Sequence, residues 1–225
     1  MKLSYIFTLE PYEIKQFTET IKDKWDCTKL FLNCIRYFVY NYPDKAENVS
    51  NENKMIINRE HIKFEISPIP RIYIYINSNK YISIVLPFQY KLTEDNRALF
   101  YFEGIQITEK ILSDMFTILS LRANSRSNIG KSHNSIVELY MSNDEFEPIS
   151  DFAFYIVECL LALEFGYIRH DFSPNDANGK IHPECHFDIN FSKNATFKYG
   201  IESMLTNIEF EYMFDKNKDC LFLYK

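Results

Sequence analysis

The side chains best able to move protons, hold anions or ligate metals are concentrated between residues 165 and 191. The run Tyr167-Ile168-Arg169-His170-Asp171 is followed by a loop over 173–183 and then by Glu184-Cys185-His186-Phe187-Asp188-Ile189-Asn190. Period-two alternation predicts two strands, 165–172 and 184–191. Tyr167, Arg169 and Asp171 then share one face of the first, and Glu184, His186, Asp188 and Asn190 share one face of the second. If the two form a hairpin with matched apolar faces, paired indices must sum to an odd number. One such register sets Asp171 opposite His186 and Arg169 opposite Asp188. A carboxylate beside an imidazole holds the ring's tautomer and raises its basicity. An arginine beside a carboxylate keeps that carboxylate ionised. Arg169, Asp171, His186 and Asp188 are therefore the candidate catalytic set, able to build a general base or a metal ligand with its orienting partner. The same pattern also describes cross-strand ion pairs on a solvated sheet face.

A divalent metal has three candidate ligands in His182, His186 and Asp188. In a straight strand His182 and His186 would lie ~13 Å apart at ~3.3 Å per residue, so they share an ion only if Pro183 bends the chain. His186 and Asp188, ~7 Å apart along one face by the same rise, make the better pair, with Asp171 as the third ligand. A separate basic segment, residues 122–134, offers Arg122, Arg126, Lys131 and His133 as contacts to phosphate groups of a ligand or nucleic acid. Its Gly130-Lys131-Ser132 resembles the end of a phosphate-binding loop. However, Ser125 stands where that loop needs its first glycine, and a helix precedes it, so a solvated polar loop is the better description. The chain contains no G-x-G-x-x-G, H-E-x-x-H or G-x-S-x-G, which disfavours nucleotide-cofactor enzymes, zincin proteases and α/β-hydrolases.

Arg169-x-Asp171, His182-Pro183-x-x-His186 and a helix after the following strand resemble an uncharacterised bacterial family, a domain of unknown function. Its members carry R-x-D…H-P-x-x-H ahead of a C-terminal helix. The resemblance covers about 30 of the 225 residues. It departs at Asp188, after Phe187, and in the strand Ala195 to Gly200, which lacks the family's arginine-proline pair. It implies a setting near mobile elements and phage-defence loci, and no catalytic mechanism.

The elements that would position these residues read as α+β, with antiparallel sheets and helices packed on one side. Ile14, Phe17, Ile21 and Trp25 predict a first helix. A second follows Asp26 with Leu30, Phe31, Cys34, Ile35 and Phe38 on one side, limited by Pro43. A polar stretch over 44–54 reads as a loop. Ile62, Phe64 and Ile66, then Ile72, Ile74 and Ile76, then 81–86 predict an antiparallel meander. A fourth strand is expected over 99–107, and Thr108 caps a helix carrying Ile111, Leu112, Met115, Phe116 and Leu119. Residues 136–141 read as a strand, and Ser150 opens a helix. Beyond the 165–191 hairpin come a strand near 195–199, a helix over 201–213 and a final strand at 220–224. Residues 122–134 break all periodicity and divide the chain into 1–121, a hinge at 122–134, and 135–225. One core or two lobes both fit this division.

A net charge of −6 argues against a broad phosphate-binding surface, which leaves a small basic cleft as the route to nucleic acid. The 20 Phe and 16 Tyr against 5 Gly suit packed strands and helices. Richness in Asn, Lys, Ile, Tyr and Phe fits an AT-rich bacterial genome. The five cysteines form no C-x-x-C pair, so a reducing cytoplasm fits better than a disulfide framework. No apolar run approaches the ~18 residues of a membrane span, and the N-terminal apolar run is too short for a signal peptide. The sequons at Asn48 and Asn194 therefore carry no weight. The acidic, aromatic-rich composition, the absence of a catalytic motif and the resemblance point first to a binding or accessory subunit of a phage-defence or toxin-type locus acting through protein partners. The alternatives are a nuclease or phosphodiesterase using residues 169–188 and a small-ligand sensor.

Overall fold

The computed structural model describes residues 3–19, 21–48, 59–67, 70–76, 79–95, 97–124, 148–191, 196–215 and 217–219. The strands are β1 (Leu3–Thr8), β2 (Glu47–Asn48), β3 (His61–Ser67), β4 (Arg71–Ile76), β5 (Lys80–Val85), β6 (Gln89–Leu92), β7 (Ala98–Phe102), β8 (Ile105–Gln106), β9 (Ile168–Phe172), β10 (Cys185–Ile189) and β11 (Phe197–Ile201). The helices are α1 (Pro11–Ile14), α2 (Lys24–Asn41), α3 (Glu109–Asn124), α4 (Asp151–Ala162) and α5 (Asn207–Tyr212). The fold is α+β with antiparallel sheets, as the alternating patterns predict. Among the described residues no helix is long and apolar enough to cross a membrane.

Two compact units interleave along the chain, one from Met1–Glu19, Asp44–Leu86 and Phe165–Lys225, the other from Thr20–Pro43 and Pro87–Glu164. The first unit holds an eight-stranded antiparallel sheet in the order β11-β10-β9-β5-β4-β3-β1-β2. Strands from either side of 122–134 thus meet in one sheet, with Lys80 opposite Asp171 and Ile82 opposite Arg169. All six residues of β4 are buried, the mark of a strand covered on both faces. Phe7, Ile62, Phe64, Ile72, Ile74 and Ile84 lie buried on one face.

The other face carries Tyr73, Tyr75, Tyr81 and Phe187, packed around Phe210 of α5. Thr206 and Glu209 form a capping box that starts this helix. Glu211 of the same helix accepts from Lys63 Nζ at 2.5 Å and from the Tyr75 hydroxyl at 2.9 Å. His170 is buried among these rings, with no hydrogen-bond partner for either nitrogen among the described residues. Burial pushes its pKa down to about 4, so the ring is neutral and packs as an aromatic.

The second unit comprises α2, α3, α4 and the three-stranded sheet β6-β7-β8. Phe31 stacks on Phe88 at 5.0 Å, and Phe38 meets Phe100 edge-on at 5.3 Å. Buried Asp114 accepts from Lys110 and from the Ser150 amide, tying α3 to the start of α4.

Several elements differ from the sequence expectation. Ile14 to Trp25 is not one helix. A single α-turn and a 3-10 turn (Lys15–Phe17) come first, and Trp25 belongs to α2. The reason is Asp23, whose extended backbone and carboxylate cap α2 by accepting from the Trp25 and Asp26 amides at 2.9 and 3.0 Å. Leu3–Thr8, for which no element is expected, forms β1 between β3 and β2. The strand expected at 99–107 is two strands, β7 and β8, because Glu103 and Gly104 both take positive φ and turn the chain. The helix expected over 201–213 is confined to α5, since Ile201 still belongs to β11. The strands expected at 136–141 and 220–224 lie outside the described residues.

Candidate functional site

The β9–β10 ladder has the register derived from alternation: Asp171 pairs with His186, and Arg169 with Asp188. On the next strand Lys198 pairs with Asp188, and Gly200 with His186. Arg169, Asp171, His186, Asp188 and Lys198 therefore occupy one sheet face, opposite the face covered by α5.

Asp171, His186 and Asp188 are all buried, at 5%, 1% and 6% exposure. Arg169 donates from Nε to Asp171 Oδ2 at 2.7 Å and bridges to Asp188 Oδ2 through Nη2. Burial opposes the Arg169 charge, but Tyr167, Asp171 and Asp188 more than offset it and raise its pKa above the usual value. Lys198 donates to Asp188 Oδ1 at 2.8 Å and meets His186 Nε2 at 2.9 Å. Two carboxylates thus face one guanidinium and one ammonium, a closed network around a single imidazole.

The state of that imidazole follows from its contacts. His186 Nδ1 lies 2.9 Å from the Pro183 carbonyl oxygen, an acceptor only, so Nδ1 carries the proton and donates. Nε2 then presents its lone pair to Lys198. Burial, reinforced by the Lys198 charge, lowers the His186 pKa against the opposing Pro183 bond and the two carboxylates. The ring is neutral. One expectation needs correction here: Asp171 does not hold the tautomer. Its Oδ2 is 3.7 Å from Nε2, beyond hydrogen-bond reach, while the backbone of Pro183 takes the other nitrogen.

Pro183 also bends the chain. His182 and His186 come to a ring separation of 4.7 Å, far closer than a straight strand permits. The bend is held by a bridge between Asn178 and His182 and by the close seat of Pro183 over Gly200, where an added Cβ would lie 2.8 Å from Pro183 Cγ. Among the described residues the group of potential ligand atoms lying within 4.8 Å of one another is Asp171, His186 and Asp188; His182 is not part of it. Beside His186, Asp171 Oδ1 and His182 Nδ1 are buried polar atoms without a hydrogen-bond partner among the described residues. An unsatisfied buried polar atom costs on the order of 1–3 kcal/mol. A groove of about 480 Å³ opens beside the end of β9, lined by Asn79, Phe172, Ser173, Asp176 and Met204 among others.

Lys198 is the member that sequence reasoning missed. It sits in the strand expected near 195–199, and the parity argument applied to β9 and β10, extended one strand further, would have placed it beside Asp188. The basic residues of 122–134 cannot be placed at the site: Arg122 lies in α3 with its side chain outside the described set, and Arg126, Lys131 and His133 lie outside the described residues. No family model matches the chain, and no curated protein or solved structure resembles it at a significant level.

Proposed function

We propose that the protein is a hydrolase of phosphate esters, of the nuclease or phosphodiesterase kind, centred on Arg169, Asp171, His186, Asp188 and Lys198. The observation that carries this reading is the neutral His186, with its Nε2 lone pair fixed toward the Lys198 ammonium and beside two carboxylates. An anionic phosphate draws Lys198 outward and frees Nε2. A water then attacks phosphorus and passes a proton to Nε2, and the bond to the leaving oxygen breaks as that oxygen takes the proton back. Asp171 and Asp188 stabilise the transient imidazolium, while Lys198 and Arg169 face the charge that develops on the phosphoryl oxygens.

The test is turnover of bis(p-nitrophenyl) phosphate and of labelled DNA and RNA oligonucleotides. His186→Ala is expected to lower kcat by about 100-fold or more, with folding checked by circular dichroism because the ring is buried, and Asp171→Asn to lower it less. Full activity in His186→Ala removes the reading.

A binding or accessory subunit, in the phage-defence or toxin-type setting that the resemblance implies, is the second reading. It is favoured by β11, which has one neighbour among the described strands and leaves Phe197 53% exposed. A strand with one described neighbour offers backbone groups for strand addition by a partner protein. In that case His186→Ala keeps its partner in a pull-down. The free cysteines Cys27, Cys34, Cys159 and Cys185 support a cytoplasmic, reducing location for either function.

A further inference from the structure

We propose that Asp171, His186 and Asp188 form a transition-metal site of the Zn²⁺ or Mn²⁺ class, and that the Lys198 ammonium is its internal counter-cation, displaced when the metal binds. The inference concerns metal binding and does not rest on the hydrolase reading: with the ion bound, His186 Nε2 is a ligand and no longer the base described above.

Three features converge. One ligand atom from each of Asp171, His186 and Asp188 lies within 4.8 Å of the other two, close enough to contract around one ion. His186 is presented as a ligand should be, with Nδ1–H tied to a backbone carbonyl and Nε2 left as the donor. Asp171 is buried, yet its Oδ1 has no hydrogen-bond partner among the described residues. Arg169 explains why that oxygen is the free one. It engages Oδ2 of both Asp171 and Asp188, which lie 3.7 and 4.0 Å from His186 Nε2, and so holds both carboxylates beside the ring with Oδ1 of each outside its grip.

Lys198 marks where the cation would sit. Its Nζ contacts two of the three residues, His186 through Nε2 at 2.9 Å and Asp188 through Oδ1 at 2.8 Å. A metal needs about 2.0–2.2 Å to nitrogen and oxygen, so the same donors must close by several tenths of an ångström around a bare ion. Lys198 can leave: it stands on the edge strand β11, its side chain is 34% exposed, and its four-carbon stem is flexible. One imidazole and two carboxylates favour Zn²⁺ or Mn²⁺ over Ca²⁺ and Mg²⁺, which prefer oxygen donors alone. Three protein ligands also leave a coordination position for water.

The experiment is calorimetric titration of chelator-treated protein with ZnCl₂ and with MnCl₂, comparing wild type, Lys198→Met, His186→Ala and Asp171→Asn, each checked for folding by circular dichroism. One ion per chain is expected in the wild type. Lys198→Met, which keeps the stem and removes the competing charge, is expected to bind about tenfold tighter. Loss of either ligand weakens binding by about 100-fold or more; Asp171→Asn, the same in shape, serves if His186→Ala does not fold. Absence of stoichiometric binding in both wild type and Lys198→Met overturns the proposal, as does unchanged affinity in His186→Ala. Weaker binding by Lys198→Met overturns the role given to Lys198. Metal binding with no turnover in either the metal-free or the loaded protein would refute the hydrolase and leave this site standing; turnover in the presence of chelator, with no ion bound by the wild type or Lys198→Met, would do the reverse.

Discussion

Asp171 stands directly across from His186 in the β9–β10 ladder, yet its Oδ2 is 3.7 Å from Nε2, while Lys198 Nζ takes the same nitrogen at 2.9 Å. The carboxylate and the ammonium therefore share one side of the ring, and the backbone of Pro183 holds the other. This divides the cluster into a fixed part, Arg169 with its two carboxylates, and a releasable part, Lys198.

Removing the fixed part should be costly. Arg169→Met leaves Asp171 and Asp188 buried without the guanidinium that joins them. Breaking a buried ion pair from one side costs about 3–5 kcal/mol, and the partial exposure of Arg169 favours the lower end. Urea unfolding measures it. A loss below about 0.5 kcal/mol would show that the pairs behave as exposed ones.

The seat of Pro183 over Gly200 is equally open to test. Gly200→Ala places a Cβ 2.8 Å from Pro183 Cγ, so either β11 or Pro183, whose carbonyl holds His186 Nδ1, must give way. Overpacking of this kind costs about 1–3 kcal/mol. Adding Pro183→Ala removes the clashing Cγ and should recover most of the loss. If the double variant is no more stable than Gly200→Ala alone, the two residues are not in conflict.

On the opposite face, Phe210 is the hub through which α5 holds the sheet. It meets Tyr81 at 5.7 Å, Phe214 at 5.4 Å and Tyr73 at 6.4 Å between ring centroids. Phe210→Ala should destabilise by about 3–5 kcal/mol, read from thermal or urea unfolding. A small effect would mean that α5 is dispensable to the sheet.

Acid should weaken the same unit through His61. This ring is 1% exposed, stacks on Tyr75 at 4.4 Å and accompanies Lys63, Glu60 and Glu211. Burial lowers its pKa despite the Arg59 carbonyl and the two glutamates. A histidine depressed in the folded state contributes stability that is complete above the ordinary value of about 6.5 and is lost as pH falls through the folded value. His61→Phe keeps the ring on Tyr75 and removes this titration. Its unfolding free energy should fall less steeply between pH 7 and 5 than that of the wild type, and equal slopes would assign the acid loss to other groups.

The alternation within 168–172 and 185–189 is local information. Because side chains change face at every residue, matching the apolar faces confined the register to one parity, and Asp171 opposite His186 is a member of that set. The meander of β3, β4 and β5 was legible for the same reason. Other features have no local signature. Nothing near Leu3–Thr8 announces its pairing with β3, and nothing near Ile168 announces β5 as its neighbour. Those pairings depend on which distant edge is free once the rest of the sheet has formed. The bend at Pro183, the choice of its carbonyl as partner for His186, and the arrival of Lys198 between Asp188 and His186 arise from three strands and a loop meeting at one sheet edge. Residue types and periodicity determined by themselves which side chains could do chemistry and which of them share a strand face. Tertiary structure alone decided which atoms face one another and which are already taken, because hydrogen bonds are settled over tenths of an ångström that chain spacing does not encode.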